Sequence, residues 1–222
     1  MNDNISAFCS SEYDKKIKQT LPYYDEFYKQ VIELVKVYNH SAVRWLDIGC
    51  GTGKMGSVAF ENVETKRFVF CDSSDEMIKI TKEKFNCSNA DFLVCDIQNL
   101  AYANEFDIIT AIQVNHYLHL EERKIALQKS YEALKDNGLY ICFENFAPFT
   151  DLGKTLYLEK WKQYQRKQGK SLEESENHID RYGKDYFPIS LSENMKLMRE
   201  CGFKAVEILW LSNMQVGLWG IK

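Results

Sequence analysis

The chain has 222 residues, of which 45% are hydrophobic and 27% are charged, and its formal net charge is −4. This length and composition are those of one globular domain, 1–222, and no apolar stretch is long enough to span a bilayer. The acidic balance disfavours nucleic acid as a partner, and the first residues, Met1–Asn4, lack the basic and apolar parts of a signal peptide. We therefore expect a cytoplasmic, single-domain protein without a membrane anchor, of unknown oligomeric state.

Seven cysteines are spread along the chain without a Cys-x-x-Cys pair. Several lie in apolar runs, where a cysteine behaves as a small hydrophobic residue. This pattern favours neither disulfides nor a metal site, and we expect neither. The cysteines are Cys9, Cys50, Cys71, Cys87, Cys95, Cys142 and Cys201.

Residues 1–40 are expected to form a helical cover in front of the sheet. After Leu21-Pro22, apolar residues recur at helical spacing through Tyr23–Tyr38, which predicts a helix there. An aromatic ring beside a cation is stabilising, so Tyr24 is a candidate contact of a cationic ligand. Alternatively, Tyr24 and Tyr28 pack this helix onto the sheet.

An acidic residue enters an apolar strand just before three alternating glycines in the run Trp45–Gly53. Glycines let a ligand approach the backbone closely, and the following helix offers free N–H groups. Asp47 would repel a pyrophosphate. S-adenosylmethionine (SAM) has no phosphate and carries an ammonium at its methionine end. The motif therefore predicts a SAM site in which Asp47 recognises that ammonium.

Two further strands also end in an acidic residue. Asp72 follows the strand 67–71 about twenty residues after the glycines, where a Rossmann-type unit places an acid on ribose hydroxyls. Asp96 follows the strand 92–95 and is expected to bind the adenine amino group or to cap the next turn. The predicted cofactor contacts are Tyr24, Asp47, Gly49, Cys50, Gly51, Gly53, Asp72, Ser73, Asp96, Ile97 and Gln113.

The segment Leu46–Gly53 resembles the first motif of class I SAM-dependent methyltransferases. This resemblance implies an α/β, Rossmann-like fold with a seven-stranded, mostly parallel sheet, an antiparallel last strand and helices on both faces. The remaining strands are expected at 107–112, 139–143, 205–210 and 214–219, with helices over 75–85, 120–134 and 191–200. A turn at Asp136–Gly138 should end the helix over 120–134.

Residues 147–190 do not fit the alternation of strands and helices and are expected to form a substrate-selecting helical insert. A helix over 155–168 would carry Tyr157, Trp161 and Tyr164 on one face. The lysines and arginines of this helix form either a solvated basic face or a site for an anion or RNA.

Strand four ends in Gln113–Leu118, and related methyltransferases often carry polar or histidine residues at this junction, beside the methyl group. His116 is therefore a candidate base or substrate ligand, since imidazole can accept a proton near neutral pH. Alternatively, it only bonds a loop carbonyl. The other predicted substrate residues are Glu144, Asn145, Trp161 and Arg181.

The resemblance implies methyl transfer from SAM to an unidentified acceptor, for which a small molecule is favoured over tRNA or protein. A more distant resemblance to carboxy-SAM synthases rests on Leu21–Tyr24, Gly169–Ser171, Arg181-Tyr182 and Cys201–Phe203. Arg181 could then hold the added carboxylate as an arginine does in that family. That family departs from the three-glycine motif, which this chain retains.

Three further functions stay open. The chain could be a tRNA-modifying enzyme, or it could bind SAM without catalysis. The third is an NAD-dependent oxidoreductase, because Gly51–Gly56 matches Gly-x-Gly-x-x-Gly. However, a dinucleotide site at these glycines would give Asp47 no binding role.

Overall fold

The computed structural model describes residues 8, 12–38 and 41–222. Its centre is a seven-stranded sheet with the order β3-β2-β1-β4-β5-β7-β6. Strands β1 to β5 pair in parallel, and β7 runs antiparallel to both β5 and β6. This topology confirms the predicted sheet with its antiparallel last strand. The strands are β1 (Val43–Ile48), β2 (Thr65–Asp72), β3 (Ala90–Val94), β4 (Phe106–Ile112), β5 (Leu134–Asn145), β6 (Ala205–Ser212) and β7 (Gln215–Ile221).

Helices cover both faces of this sheet, as predicted. Side chains alternate along each strand, so Trp45 packs with α2 and α3 on one face while its neighbour Leu46 packs with α5 and α8 on the other. The helices in the described ranges are α1 (Tyr13–Thr20), α2 (Tyr24–Tyr38), α3 (Lys54–Asn62), α4 (Asp75–Lys84), α5 (Leu120–Ala133), α6 (Asp151–Lys167), α7 (Leu172–Ile179) and α8 (Leu191–Glu200).

Helices α1 and α7 lie within the expected helical cover and helical insert, but the sequence pattern gives neither of them bounds of its own. Helix α1 is mostly polar and is stabilised by tertiary contacts with α6. In one of them, Trp161 Nε1 of α6 donates a hydrogen bond to the carbonyl of Thr20 of α1 at 2.6 Å. Helix α7 begins with a capping box in which Ser171 and Glu174 exchange hydrogen bonds. Helix α6 begins at Asp151 rather than at the expected residue 155, because the Thr150 side chain caps it.

Strand β5 begins five residues earlier than expected. Helix α5 ends at Ala133, and Leu134 already pairs with Phe106 of β4. The expected turn at Asp136–Gly138 therefore lies within the start of the strand. Asn137 adopts a left-handed conformation there (φ +59°), and its N–H donates to the Lys222 carbonyl at 3.1 Å.

The cysteines in the described part of the chain are free, and Cys50, Cys71 and Cys142 are buried as expected. Cys87 is exposed, so the expectation of burial is wrong at that position. Cys9 and Met1–Asn4 lie outside the described residues. Within the described ranges, no helix combines the length and the apolar character needed to cross a membrane.

Candidate cofactor and acceptor site

The carboxyl ends of β2, β1 and β4 lie side by side because these strands are neighbours in the sheet. In open α/β sheets, ligands bind in the crevice outside these strand ends. A cleft of about 120 Å³ lies at this edge and is lined by residues that follow each strand, among them Gly51 after β1, Asp72 at the end of β2 and Gln113 after β4. We call it the cofactor cleft.

The three motif glycines all have positive φ angles, but only one faces open space. A Cβ atom at Gly49 would collide with Val114, and one at Gly53 would lie 2.7 Å from Phe85. A Cβ at Gly51 would meet no atom within 4 Å, although Gly51 has a φ of +53° and lines the cleft. Packing therefore requires the first and third glycines, whereas Gly51 leaves room for a ligand to approach the backbone.

Asp47 is buried at the end of β1, with 2% of its surface exposed. Its carboxylate accepts a hydrogen bond from Thr110 Oγ1 at 2.7 Å, and no cationic side chain of the described residues forms an ion pair with it. Burial raises the pKa of Asp47 to about 7. A recess of about 20 Å³ separates Asp47 from Tyr24 and Tyr28. A buried carboxylate that lacks a cation suits the ammonium of an amino acid.

The carboxylate of Asp72 is oriented by the backbone. Its Oδ2 atom accepts the Gly51 N–H at 2.9 Å, and its Oδ1 atom accepts the Ser74 N–H at 2.9 Å. The carboxylate lines the cofactor cleft, where an ionised Asp is a hydrogen-bond acceptor for ligand hydroxyls. Ser73 lines the cleft next to Asp72.

Asp96 is exposed and lies on the cofactor cleft together with Ile97. It precedes a short 3-10 helix, Ile97–Asn99, but its side chain makes no capping hydrogen bond. The alternative prediction, a capping role for this side chain, is therefore wrong. The carboxylate lies at the cleft, where a nucleoside would need a hydrogen-bond acceptor.

A second cavity of about 30 Å³ adjoins the cofactor cleft and shares Tyr13, Gln113 and Tyr117 with it. We call it the inner chamber. It brings together four of the residues predicted for catalysis and substrate binding, His116, Asn145, Trp161 and Arg181. Glu144, the fifth, is fully buried behind His116 and does not line the chamber.

Glu144 orients His116 through several hydrogen bonds. Its carboxylate accepts the backbone N–H groups of Asn115 at 3.2 Å and His116 at 3.0 Å, and its Oε2 atom lies 2.8 Å from Nδ1 of His116. The partner of the imidazole is therefore a carboxylate and not the loop carbonyl of the alternative prediction. A proton on Nδ1 leaves Nε2 as the acceptor atom.

A chain of carboxamides links His116 to the cofactor cleft. Asn145 Nδ2 lies 3.3 Å from Nε2 of His116, Gln215 Nε2 donates to Asn145 Oδ1, and Gln113 Nε2 donates to Gln215 Oε1 at 3.2 Å. Gln113 has a φ of +61°, a strained conformation for a residue with a side chain. Such strain is typical of functional sites.

Several chamber residues were not predicted from the sequence. The Tyr186 hydroxyl is buried and has no hydrogen-bond partner among the described residues, and His178 is kept neutral because burial lowers its pKa to about 3. Both come from the insert, where no local motif marks them. Tyr13 lines the cleft, the chamber and the Asp47 recess. The many tyrosines of the N-terminal cover indicated that aromatic side chains from this segment would line the pocket.

Helix α1 is tied to the glycine loop across the cofactor cleft. Asp14 accepts a hydrogen bond from the Thr52 hydroxyl at 2.5 Å, and it pairs with Lys84 at 3.1 Å. Lys84 also donates to the Thr52 carbonyl at 2.9 Å. The cleft and its two neighbouring cavities are each smaller than the ~300 Å³ of a typical ligand pocket. We therefore expect α1 to move when a ligand of the size of SAM binds.

The comparisons with known proteins agree with this geometry. A family model described as "Methyltransferase domain" matches residues 46–138, which include the glycine motif and the ends of β1, β2 and β4. The chain has the class I SAM-dependent methyltransferase fold. The matched methyltransferase domain and this fold imply SAM as the cofactor, and the open space at Gly51 and the absence of an ion pair at Asp47 among the described residues fit that molecule. No group of His, Cys, Asp and Glu suited to a metal ion occurs in the part of the chain that the structure describes.

Solved methyltransferase structures resemble the chain over its whole length. One comes from the complex between the Haloferax volcanii Trm112 methyltransferase activator and a methyltransferase, with a TM-score of 0.71, 13% identity, and coverage of 100% of this chain and 98% of that chain. A SAM-dependent methyltransferase from Thermotoga maritima has a TM-score of 0.61 and 20% identity, covering 96% of this chain and 95% of the other. These similarities show the fold.

Among curated proteins, the carboxy-S-adenosyl-L-methionine synthase of Helicobacter hepaticus is 24% identical over 213 residues, which cover 93% of this chain and 89% of that protein. The similarity extends well beyond the methyltransferase domain match. It therefore includes the insert that encloses the inner chamber.

Proposed function

We propose that this protein is a SAM-dependent methyltransferase that acts on a small-molecule acceptor in the inner chamber. The observation that carries the proposal is that the two cavities are adjacent, because Tyr13, Gln113 and Tyr117 line both of them. An acceptor in the chamber would lie next to the reactive end of a cofactor in the cleft. The small, aromatic-walled chamber favours a small molecule over tRNA or protein.

When bound, SAM supplies an electrophilic methyl group on a sulfonium. Asp47 holds the ammonium, Asp72 the ribose hydroxyls and Asp96 the adenine amino group, while Gly51 permits close backbone approach. Gly49, Cys50 and Gly53 shape the loop, and Ser73, Ile97, Gln113 and Tyr24 complete the walls. These residues position the donor, which is the main contribution a protein makes to an in-line displacement.

We assign His116 as the group that accepts the acceptor's proton through Nε2. Its Nδ1 atom is bonded to the buried Glu144 carboxylate, which would stabilise the imidazolium that forms. Glu144 is thus a positioning residue, which revises the expectation that it contacts substrate directly. Asn145, Trp161 and Arg181 would hold the acceptor, and the unpartnered Tyr186 hydroxyl offers it a further hydrogen bond.

The test is incubation of the full chain with methyl-labelled SAM and fractionated metabolite pools. We expect label in a small molecule together with S-adenosylhomocysteine, and loss of most turnover in H116A with unchanged SAM affinity. Tight SAM binding without any transferred label would favour a non-catalytic SAM-binding protein.

A second candidate, carboxy-SAM synthesis, is favoured by the position of Arg181 and by the curated relatives. The Arg181 side chain lines the inner chamber, and its Nε donates a hydrogen bond to Asp185 at 2.7 Å. Its guanidinium would pair with a carboxylate on the transferred carbon. Relatives of this name cover nearly the whole chain. In this reaction the methyl carbon of SAM would lose a proton and form a bond to CO₂ released from a carboxylic acid co-substrate, which would take up a proton in place of the CO₂.

Mass spectrometry of the nucleoside products separates the two reactions. Methyl transfer yields S-adenosylhomocysteine, whereas the alternative yields a nucleoside heavier than SAM by one CO₂. If R181Q abolished formation of the heavier product and left SAM affinity unchanged, the second function would replace the first.

A further inference from the structure

A further cavity, larger than the three described above, lies beside helix α6. Its volume is about 310 Å³, which falls within the range of small-molecule pockets. We call it the outer pocket. It is lined by Pro22, Tyr23, Tyr157, Lys160, Trp161, Tyr164, Asn213, Met214 and Gln215.

Aromatic rings form most of the walls of the outer pocket, and two of them are fixed through their polar atoms. Trp161 Nε1 donates to the Thr20 carbonyl at 2.6 Å, and the Tyr164 hydroxyl donates to the Lys18 carbonyl at 3.0 Å. The ring faces are thus held in place while their polar groups point to α1. Fixed aromatic faces favour a planar ligand, because offset stacking adds to the burial of apolar area.

Tyr23 completes this wall in an unusual conformation. Its φ is +62°, in the left-handed region that residues with side chains rarely adopt, and its ring packs edge-on against Trp210 at 5.7 Å. Even so, 58% of the Tyr23 surface stays exposed. The strained backbone conformation places the Tyr23 ring beside the pocket. Packing against Trp210 alone would not require such a conformation.

The only charged residue of the lining is Lys160. Its ammonium donates to the neutral Asn213 Oδ1 at 2.8 Å, and the described residues include no carboxylate that forms an ion pair with it. An ammonium has three N–H donors, so two remain for a ligand anion. The neighbouring Glu159 already pairs with Lys162.

We propose that the outer pocket binds a small aromatic carboxylate, with its ring among the tyrosine and tryptophan rings and its carboxylate on Lys160 Nζ. This site is separate from the inner chamber. Trp161 lines both the outer pocket and the inner chamber, so its side chain lies between the two.

The probes are benzoate and its neutral analogue benzamide, titrated calorimetrically into the full chain without SAM. We expect benzoate to bind at one site and K160Q to weaken it roughly fivefold, the scale of an exposed charge pair. Benzamide should bind wild type and K160Q equally. The matched control is K167Q, which removes an exposed lysine of the same helix outside the lining.

The aromatic wall is tested by Y157A, since Tyr157 is partly exposed and its loss should leave the fold intact, as circular dichroism can check. Y157A should weaken the binding of both benzoate and benzamide, whereas L156A, on the exposed side of the same helix, should not. The proposal is overturned if benzoate does not bind, if K160Q or Y157A binds it like wild type, or if R181Q rather than K160Q removes binding, which would put the probe in the inner chamber. The titration contains no SAM, so its outcome does not depend on whether the protein transfers methyl groups.

Discussion

Nδ1 of His116 lies 2.8 Å from Oε2 of Glu144, and both side chains are almost completely buried. The two residues come from neighbouring segments, one after β4 and one near the end of β5. Because a carboxylate accepts hydrogen bonds, this pairing favours a proton on Nδ1. It therefore allows a prediction that does not depend on knowing the methyl acceptor.

We predict that neutral His116 carries its proton on Nδ1. The Glu144 carboxylate accepts from that atom, and Asn145 Nδ2 lies 3.3 Å from Nε2. Nitrogen NMR of histidine-labelled protein can distinguish the two tautomers. In E144Q this preference should weaken, while E121Q, an exposed position, serves as the control. A proton on Nε2 in the wild type would contradict the assignment.

Asp47 should make the free energy of unfolding decrease with increasing pH. Burial raises its pKa in the folded chain to about 7 from the ordinary 3.8, so between these values only the folded chain holds the proton. The stabilisation from this group is full below about pH 4 and is lost as pH rises through about 7, with a slope of up to ~1.4 kcal/mol per pH unit. Urea unfolding of wild type and D47N between pH 4 and 8 should show this difference. Parallel curves would refute it.

The same carboxyl should make SAM binding depend on pH. The ammonium pairs with the ionised form, so binding releases the proton, and affinity should rise about tenfold from pH 6 to pH 8. Calorimetry in buffers of different ionisation enthalpy would detect this proton. D47N should bind weakly and without this slope, whereas D136N, at an exposed position, should behave like wild type.

Gly51→Ala should weaken SAM binding at least tenfold at a modest cost in stability. Its Cβ would enter open space in the cleft, and the left-handed backbone costs roughly 1–2 kcal/mol. Gly53→Ala is the contrasting variant, because its Cβ would lie 2.7 Å from Phe85, away from the lining of the cleft. It should lower the melting temperature more, but the folded fraction should retain affinity. Equal SAM affinity in G51A and wild type would show that the cofactor does not approach the backbone closely at Gly51.

Asp14→Asn should speed the release of S-adenosylhomocysteine a few-fold. Asp14 links α1 to Thr52 and Lys84, and both ionic partners are largely exposed, so the link contributes at most about 1 kcal/mol. Stopped-flow displacement measures the release rate. The control is E12Q, which removes an ion pair with Lys16 next to the same helix without touching the glycine loop. Identical release rates in D14N and wild type would mean that α1 is not the barrier.

The apolar strand runs and the acids at their ends were readable from the sequence, because burial and strand termination are local properties. Helix α1 was not, since its few apolar residues are buried only by tertiary packing, which includes contacts with α6. The Ser171–Glu174 capping box is a local signal that could have identified α7. The start of β5 depends on the pairing of Leu134 with Phe106, which only the assembled sheet provides.

The candidate site was likewise only partly predictable from the sequence. The positions of Asp47, Asp72 and Asp96 follow from strand order, and His116, Asn145, Trp161 and Arg181 do share one cavity. The burial of Glu144 and the unpartnered hydroxyl of Tyr186 depend on side-chain packing between β4, β5 and the insert. No spacing rule in the sequence reports such contacts.

The donors between the cleft and the buried carboxylate all point the same way, from Gln113 through Gln215 and Asn145 to His116 and then Glu144. A second proton on the imidazole would place two N–H groups face to face at Asn145, and each amide in turn would have to rotate by half a turn. The last rotation would exchange the oxygen and the NH₂ group of Gln113, which lines the cofactor cleft. Loss of a proton by the substrate would thereby change the hydrogen-bonding groups in the wall of the cofactor cleft.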